Sequence, residues 1–241
     1  MFEHPYVGII TGRRGSGKTS LGLWLIENLT KGGIEGYIYG APRAYGDYLP
    51  ESIDILGIEE IDNLPEDAVI FFDEASIHFF ARENFSALNK LIDKLILISR
   101  QKDQTLLFAS HNLRKLDVGI ITDSDVIFFK EPSLLHSKLE RAEIRGLTQK
   151  AFDAFSKIPQ EERKKYTYVL SGDIEAIVET PLPSFWVEDL SYMWRSNKRK
   201  GKLVGYACAR CGYIRGVLNG SKVCPKCGTE LREEYSSNFL E

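Results

Sequence analysis

Eight consecutive residues near the start of the chain constrain its fold more than any others: Gly12-Arg13-Arg14-Gly15-Ser16-Gly17-Lys18-Thr19. They satisfy the pattern G-x-x-x-x-G-K-[ST] at every fixed position. The preceding run Tyr6-Val7-Gly8-Ile9-Ile10 is apolar and β-branched, and predicts a buried strand. In the following run Leu21, Trp24, Leu25, Asn28 and Leu29 recur at helical spacing until Gly32-Gly33 supplies a stop. A chance glycine-rich turn would lack that strand–loop–helix setting. A loop so placed can wrap its backbone N–H groups around phosphate oxygens, with the helix N-terminus adding a favourable field. The expected nucleotide-binding set is therefore Gly12, Arg13, Arg14, Gly15, Ser16, Gly17, Lys18, Thr19 and Ser20. Lys18 would reach the β- and γ-phosphates of ATP, and the Thr19 hydroxyl would ligate Mg²⁺.

A second chemical signal follows a second apolar strand. Ala68-Val69-Ile70-Phe71-Phe72 runs directly into Asp73-Glu74. Two acids closing a strand are often merely solvated. Beside a phosphate loop they suit a magnesium-positioning carboxylate, Asp73, and a general base that polarises an attacking water, Glu74. Adjacent acids of this kind favour hydrolysis over transfer to a small acceptor.

The rest of the first 145 residues alternates strands with helices. Glu35–Tyr39, Thr105–Ser110 and Val126–Phe129 read as strands. Ser86–Ser99 carries apolar residues at 88, 91, 92, 95 and 96, an amphipathic helix. The alternation predicts an α/β fold, a parallel sheet flanked by helices with right-handed crossovers. Residues 41–63 read as irregular with short helical pieces, and 149–163 as helical. The aromatic stretch 185–194 is expected either to pack on the sheet domain or to contact another subunit.

The order of these segments resembles the FtsK–HerA superfamily of ring-forming DNA-translocating ATPases, including the Zot-like phage-assembly and viral genome-packaging members. The residues carrying the resemblance are Ile10–Thr19, Phe71-Phe72-Asp73-Glu74-Ala75, Ser99-Arg100-Gln101-Lys102-Asp103 with the strand after it, His111-Asn112-Leu113-Arg114, and Asp125–Lys130. It implies a P-loop NTPase of the ASCE, RecA-like type. It further implies an arginine, Arg100, supplied across a subunit interface. A polar γ-phosphate sensor is implied at the end of the strand, where this chain has His111 followed by Asn112 in place of the family's glutamine. Simpler readings stand beside these: Arg100 as a solvated arginine favoured by a helix C-terminus, and His111 as a core histidine satisfied by a carbonyl. Lys18, Asp73, Glu74, Arg100, His111 and Asn112 form the expected catalytic set.

Beyond a basic hinge, 196–203, lies a compact module at 204–241 with all four cysteines. Cys208-Ala209-Arg210-Cys211-Gly212 and Cys224-Pro225-Lys226-Cys227-Gly228 are two C-x-x-C-G knuckles, and four thiolates at this spacing suit tetrahedral Zn²⁺. Iron shares that geometry, and a disulfide is the weaker reading for a cytoplasmic chain. The module resembles a zinc ribbon and is too small to own a core, so the metal would supply its folding free energy. From Arg195 to Thr229 there are nine basic residues and no acidic one, in a chain of net charge −3. Arg210, Arg215, Lys222 and Lys226 with Tyr206 and Tyr213 suit contact with a DNA backbone, or else docking of a protein partner.

The 241 residues suffice for one large domain, expected at 1–195, plus the small module. No apolar run approaches the roughly 20 residues that span a bilayer, and no leader precedes the first strand, so a cytoplasmic or virion-associated protein is expected. The leading expectation is a Mg·ATP-driven motor that moves or packages DNA as a homo-oligomeric ring. The alternative is an ATP-dependent assembly switch, docking a capsid or assembly protein through the zinc ribbon. A small-molecule kinase is disfavoured by Asp73-Glu74 and the lack of a lid. A DEAD-type helicase is disfavoured by Ala75-Ser76 after Glu74.

Overall fold

A computed structural model of the chain describes residues 2–73, 85–111, 113, 116, 118–192, 203–207, 214–215, 227 and 232–235. By internal contacts the chain divides into two compact units, Met1–Trp194 and Arg195–Glu241.

The first unit is built on an eight-stranded sheet in the order β3-β2-β4-β5-β1-β6-β7-β8. Its strands are β1 (Val7–Thr11), β2 (Glu35–Tyr39), β3 (Ile53–Leu56), β4 (Ala68–Phe72), β5 (Gln104–Ser110), β6 (Val126–Phe129), β7 (Tyr166–Ser171) and β8 (Glu175–Glu179). Six strands, β3 through β6, run parallel, and β7 and β8 are antiparallel additions. Such parallel strands are buried on both faces and read as continuous apolar runs, as Val-Gly-Ile-Ile-Thr of β1 and Ala-Val-Ile-Phe-Phe of β4 do.

The two-residue alternation of each strand sends side chains to two separate cores. On one face Ile9, Ile70, Phe72, Leu106, Phe108 and Phe129 pack beneath α2 (Phe85–Ser99), α3 (Val118–Thr122) and α5 (Ala142–Ser156), with Ile92, Leu95, Ile120, Ile144 and Phe155 supplied by the helices. On the other, Ile10, Val69, Phe71, Leu107 and Phe128 pack beneath α1 (Lys18–Thr30) through Leu21, Leu25, Ile26 and Leu29. Gly22 allows α1 its close approach, since a Cβ there would lie 2.3 Å from the Phe71 ring. The short helix α4 (Leu134–Leu139) precedes α5.

The segment Phe185–Leu190 packs on the α1 face: Leu190 is fully buried, and Phe185 and Trp186 are half-buried against that core. Glu27 of α1 fastens it by accepting hydrogen bonds from the Ser184 hydroxyl and, at 3.0 Å, the Ser184 amide. Burial alone would push the Glu27 pKa up. The Ser184 bonds and the Lys31 ammonium outweigh it and hold the carboxyl below its ordinary range.

Three segments differ from the sequence expectation. Residues 41–63 include a genuine strand, β3, between two 3₁₀ turns. The last helix of the unit starts earlier and ends at Ser156 rather than Arg163, because Pro159 cannot continue it. The chain then forms the hairpin β7–β8, closed at Ser171-Gly172-Asp173-Ile174 by the Ser171 amide bonding to the Ile174 carbonyl at 2.8 Å. The sheet is therefore mixed rather than wholly parallel. Among the described residues no helix is long and apolar enough to cross a membrane.

In the second unit β9 (Leu203–Ala207) pairs antiparallel with β10 (Ile214–Arg215) and β11 (Arg232–Tyr235). The first cysteine pair falls in the connection between β9 and β10. Cys208, Cys211 and Cys224 lie outside the described residues, and Cys227 sits half-buried in a turn.

Candidate functional site

The site forms where β1 hands over to α1 at the carboxyl end of the parallel strands. Gly12, Gly15 and Gly17 carry φ of 147°, 74° and 96°, values in the left-handed region that a side chain resists. At Gly12 there is also no room: a Cβ would lie 2.9 Å from the Lys130 carbonyl, the Lys130 Cβ and the Ser16 hydroxyl. The loop therefore turns back on itself, with the Ser16 amide bonded to the Arg13 carbonyl at 3.2 Å. Ser16 is 1 % exposed, and its hydroxyl has no hydrogen-bond partner among the described residues. A buried, unsatisfied hydroxyl in a glycine loop that opens a helix fits the acceptor chemistry of a phosphate oxygen. Ser20 is engaged with its own helix, bonding the Gly17 carbonyl at 2.9 Å, and Arg14 is exposed at the loop tip.

Lys18 folds back over the loop. Its ammonium bonds the carbonyls of Gly12 at 3.1 Å and Arg13 at 3.3 Å, and contacts Nδ1 of His111. His111 follows β5, which stands between β1 and β4, so strand order brings the first and third sequence segments together. Asp73, at the end of β4, is 5 % exposed and accepts a hydrogen bond from the Thr19 hydroxyl at 2.9 Å. A hydroxyl and a carboxylate converging this way are oxygen donors of the kind Mg²⁺ takes. Lys18, Thr19, Asp73 and His111 are thus brought together. Glu74 and Asn112 lie outside the described residues.

Arg100 is not at this end. It follows α2, and its guanidinium lies 3.5 Å from Asp125, whose other oxygen accepts the Val7 amide at 2.7 Å. Both contacts are at the amino end of β1, roughly 16 Å from the phosphate loop along a five-residue strand. The Arg100 side chain is 84 % exposed.

Two residues that the sequence marks only as the end and sequel of the final strand form the rear wall of the loop. The Lys130 amide bonds the Thr11 carbonyl at 2.7 Å, and the Glu131 carbonyl accepts the Arg13 amide at 3.0 Å. The Glu131 carboxylate takes Arg13 at 2.6 Å and Arg163 at 2.9 Å, so Arg13 is held to the wall and away from the loop interior. The Lys130 ammonium points down, bonding the Lys164 carbonyl at 2.7 Å and the Thr167 and Thr180 hydroxyls at 3.4 Å. Burial pushes its pKa down to about 8. The signal that could have found this pair is the one used for Asp73-Glu74: charged residues closing an apolar strand beside the loop.

No protein-family model and no curated protein matches the sequence. Solved structures do match the fold. The genome packaging NTPase B204 of Sulfolobus turreted icosahedral virus 2, in complex with ATPγS, aligns over 76 % of this chain and 100 % of its own, with a TM-score of 0.53 and 14 % identity. This chain shares its fold with viral genome-packaging ATPases. The DNA-packaging ATPase B204 from Sulfolobus turreted icosahedral virus aligns over 75 % of this chain and 100 % of its own, at TM-score 0.51 and 17 % identity. The pCW3 conjugation coupling protein TcpA, a monomer form with ATPγS, aligns over 73 % of this chain and 60 % of its own, at TM-score 0.52 and 13 % identity. The fold class is accordingly that of a P-loop NTPase.

Proposed function

We propose that this chain is a Mg·ATP-hydrolysing motor that translocates or packages DNA, working as a ring of identical subunits. The observation that carries the nucleotide half is the Thr19–Asp73 contact at 2.9 Å, beside a loop that encloses the orphaned Ser16 hydroxyl. The loop amides and Ser16 bind the phosphate chain. Lys18 exchanges the neutral carbonyls of Gly12 and Arg13 for phosphate oxygens, which releases His111 to face the terminal phosphate as sensor, with Asn112 beside it. Thr19 and Asp73 hold the magnesium, which when bound neutralises charge gathering on the phosphate oxygens. Glu74 orients and deprotonates the attacking water. Arg100, remote from its own site, completes the site of a neighbouring subunit.

The DNA half is supported by the fold shared with packaging and coupling ATPases and by the basic C-terminal module, whose cysteines we assign to zinc from their spacing. The domains are assigned as 1–195 for the ATPase, 196–203 for the hinge and 204–241 for the ribbon, a reading supported by the division at Trp194. The test is ATP turnover by zinc-loaded protein with and without double-stranded DNA. The expected result is several-fold stimulation by DNA, abolished in Glu74→Gln. Turnover indifferent to DNA would remove the motor and redirect attention to a protein partner of the ribbon.

A further inference from the structure

We propose that Lys130 is a second cation of the phosphate site, a buried positioning residue whose counter-ion is the phosphate chain of the bound nucleotide. The inference rests on the nucleotide reading and deepens it. Lys130 is 2 % exposed. Its stem runs beneath the loop: its Cβ lies 2.9 Å from a Cβ position on Gly12, and its Cε 3.4 Å from one on Gly17, the residue that opens α1. The ammonium therefore lies beneath the glycine loop, on the side of Gly17.

Its own hydrogen-bond partners are neutral, one carbonyl and two hydroxyls, and the hydroxyls of Thr167 and Thr180 also bond each other at 2.9 Å. The surrounding charges do not balance it. From the phosphate loop and α1 come Arg13 and Lys18, both cations. Beside it in sequence, Glu131 is occupied by Arg13 and Arg163. From 163–165 come Arg163 itself and the exposed Lys164 and Lys165. From the end of β8 comes the exposed Glu179, while Tyr166 and Tyr168 of β7 face the opposite side of the sheet from Thr167. Among the described residues no carboxylate lies within ion-pair distance of Lys130. A buried cation without a counter-charge is strongly disfavoured, and the depressed pKa of about 8 is its consequence. A polyanion bound on the other side of the loop supplies the missing charge across a few ångströms of low-dielectric protein, where such attraction is weakly screened.

The consequence is proton linkage. If the phosphates stabilise the ammonium, the pKa of Lys130 rises when nucleotide binds. Affinity is then greatest below pH 8 and falls as pH climbs, by up to tenfold per unit until the raised value is reached. The nucleotide contributes nothing to this window, because a terminal phosphate with pKa of about 6 is already ionised. The test is calorimetric titration of the full-length protein with Mg·ATPγS between pH 7.5 and 9.5, in two buffers of different ionisation enthalpy. For the wild type we expect proton uptake on binding near pH 8–9 and a Kd rising about tenfold from pH 8 to 9.5. Lys130→Arg keeps its charge at every pH, so tight binding with no uptake and a flat profile is expected. Lys130→Met should bind about tenfold more weakly at pH 7.5, also with a flat profile. Binding without proton uptake in the wild type, or uptake that survives in Lys130→Arg, would overturn the assignment while leaving the nucleotide site in place. Absence of wild-type binding at every pH would remove the nucleotide reading itself. The wild-type and Lys130→Arg arms stand even if Lys130→Met does not fold.

Discussion

The two ends of the parallel sheet are made by the same strands and the same hydrogen-bond ladder, yet they treat charge in opposite ways. At the carboxyl end Lys18, Asp73, Lys130 and Glu131 are each 6 % exposed or less. At the amino end Arg100 reaches into water, and Asp125, its partner, is 38 % exposed. There the polar groups do local work: Asp125 takes the Val7 amide and His4 bonds the Thr105 hydroxyl at 2.8 Å. Removing a charge from water costs several kcal/mol unless something compensates it. Apart from Glu27, which fastens Ser184 to α1, the fold gathers these buried charges around a loop of left-handed glycines, as expected of an end that binds a ligand. The amino end only has to finish a sheet.

Substitutions at the two ends should have unequal effects. The largest effect is expected from Lys18→Ala, which leaves the fold intact and lowers ATP turnover by a factor of about 10² or more, as loss of a phosphate-facing donor does. Glu131→Gln comes next: it strands Arg13 and Arg163 around a neutral amide and should cost about 2–3 kcal/mol in urea unfolding, short of the full penalty because both arginines keep some solvent. Asp125→Asn at the other end should cost under about 1 kcal/mol, since the amide oxygen can still accept from Val7. If the two acids proved equally costly, the contrast would fail. The smallest effect is Arg100→Ala, within about 0.5 kcal/mol in stability. Its turnover should fall only when subunits are assembled, as seen by comparing specific activity at dilute and concentrated protein.

The sequence made the carboxyl end more legible than its rear wall, for a physical reason. Phosphate-loop glycines, the lysine and an acid after an apolar strand are local patterns, and β1, β4, β5 and β6 are buried runs whose composition announces them. Lys130 and Glu131 matter only because β6 lies beside β1, and that adjacency is a property of the strand order 5-1-6. The hairpin β7–β8 was hidden by exposure: Glu175-Ala176-Ile177-Val178-Glu179 packs one side loosely and lacks clean alternation. Its first strand had a readable signal in Tyr166-Thr167-Tyr168-Val169-Leu170 followed by Ser171-Gly172-Asp173, outweighed by the helical pattern before it. Four-residue β3 is too short for periodicity to show.

We propose that Thr19 and Asp73 hold a magnesium ion against nucleotide bound in the loop. Calorimetric titration of ATPγS with and without Mg²⁺, on wild type and Asp73→Asn, tests it most directly. Both proteins should bind the metal-free nucleotide alike, and only the wild type should gain affinity when magnesium is added. A full magnesium-dependent gain in Asp73→Asn would contradict the account.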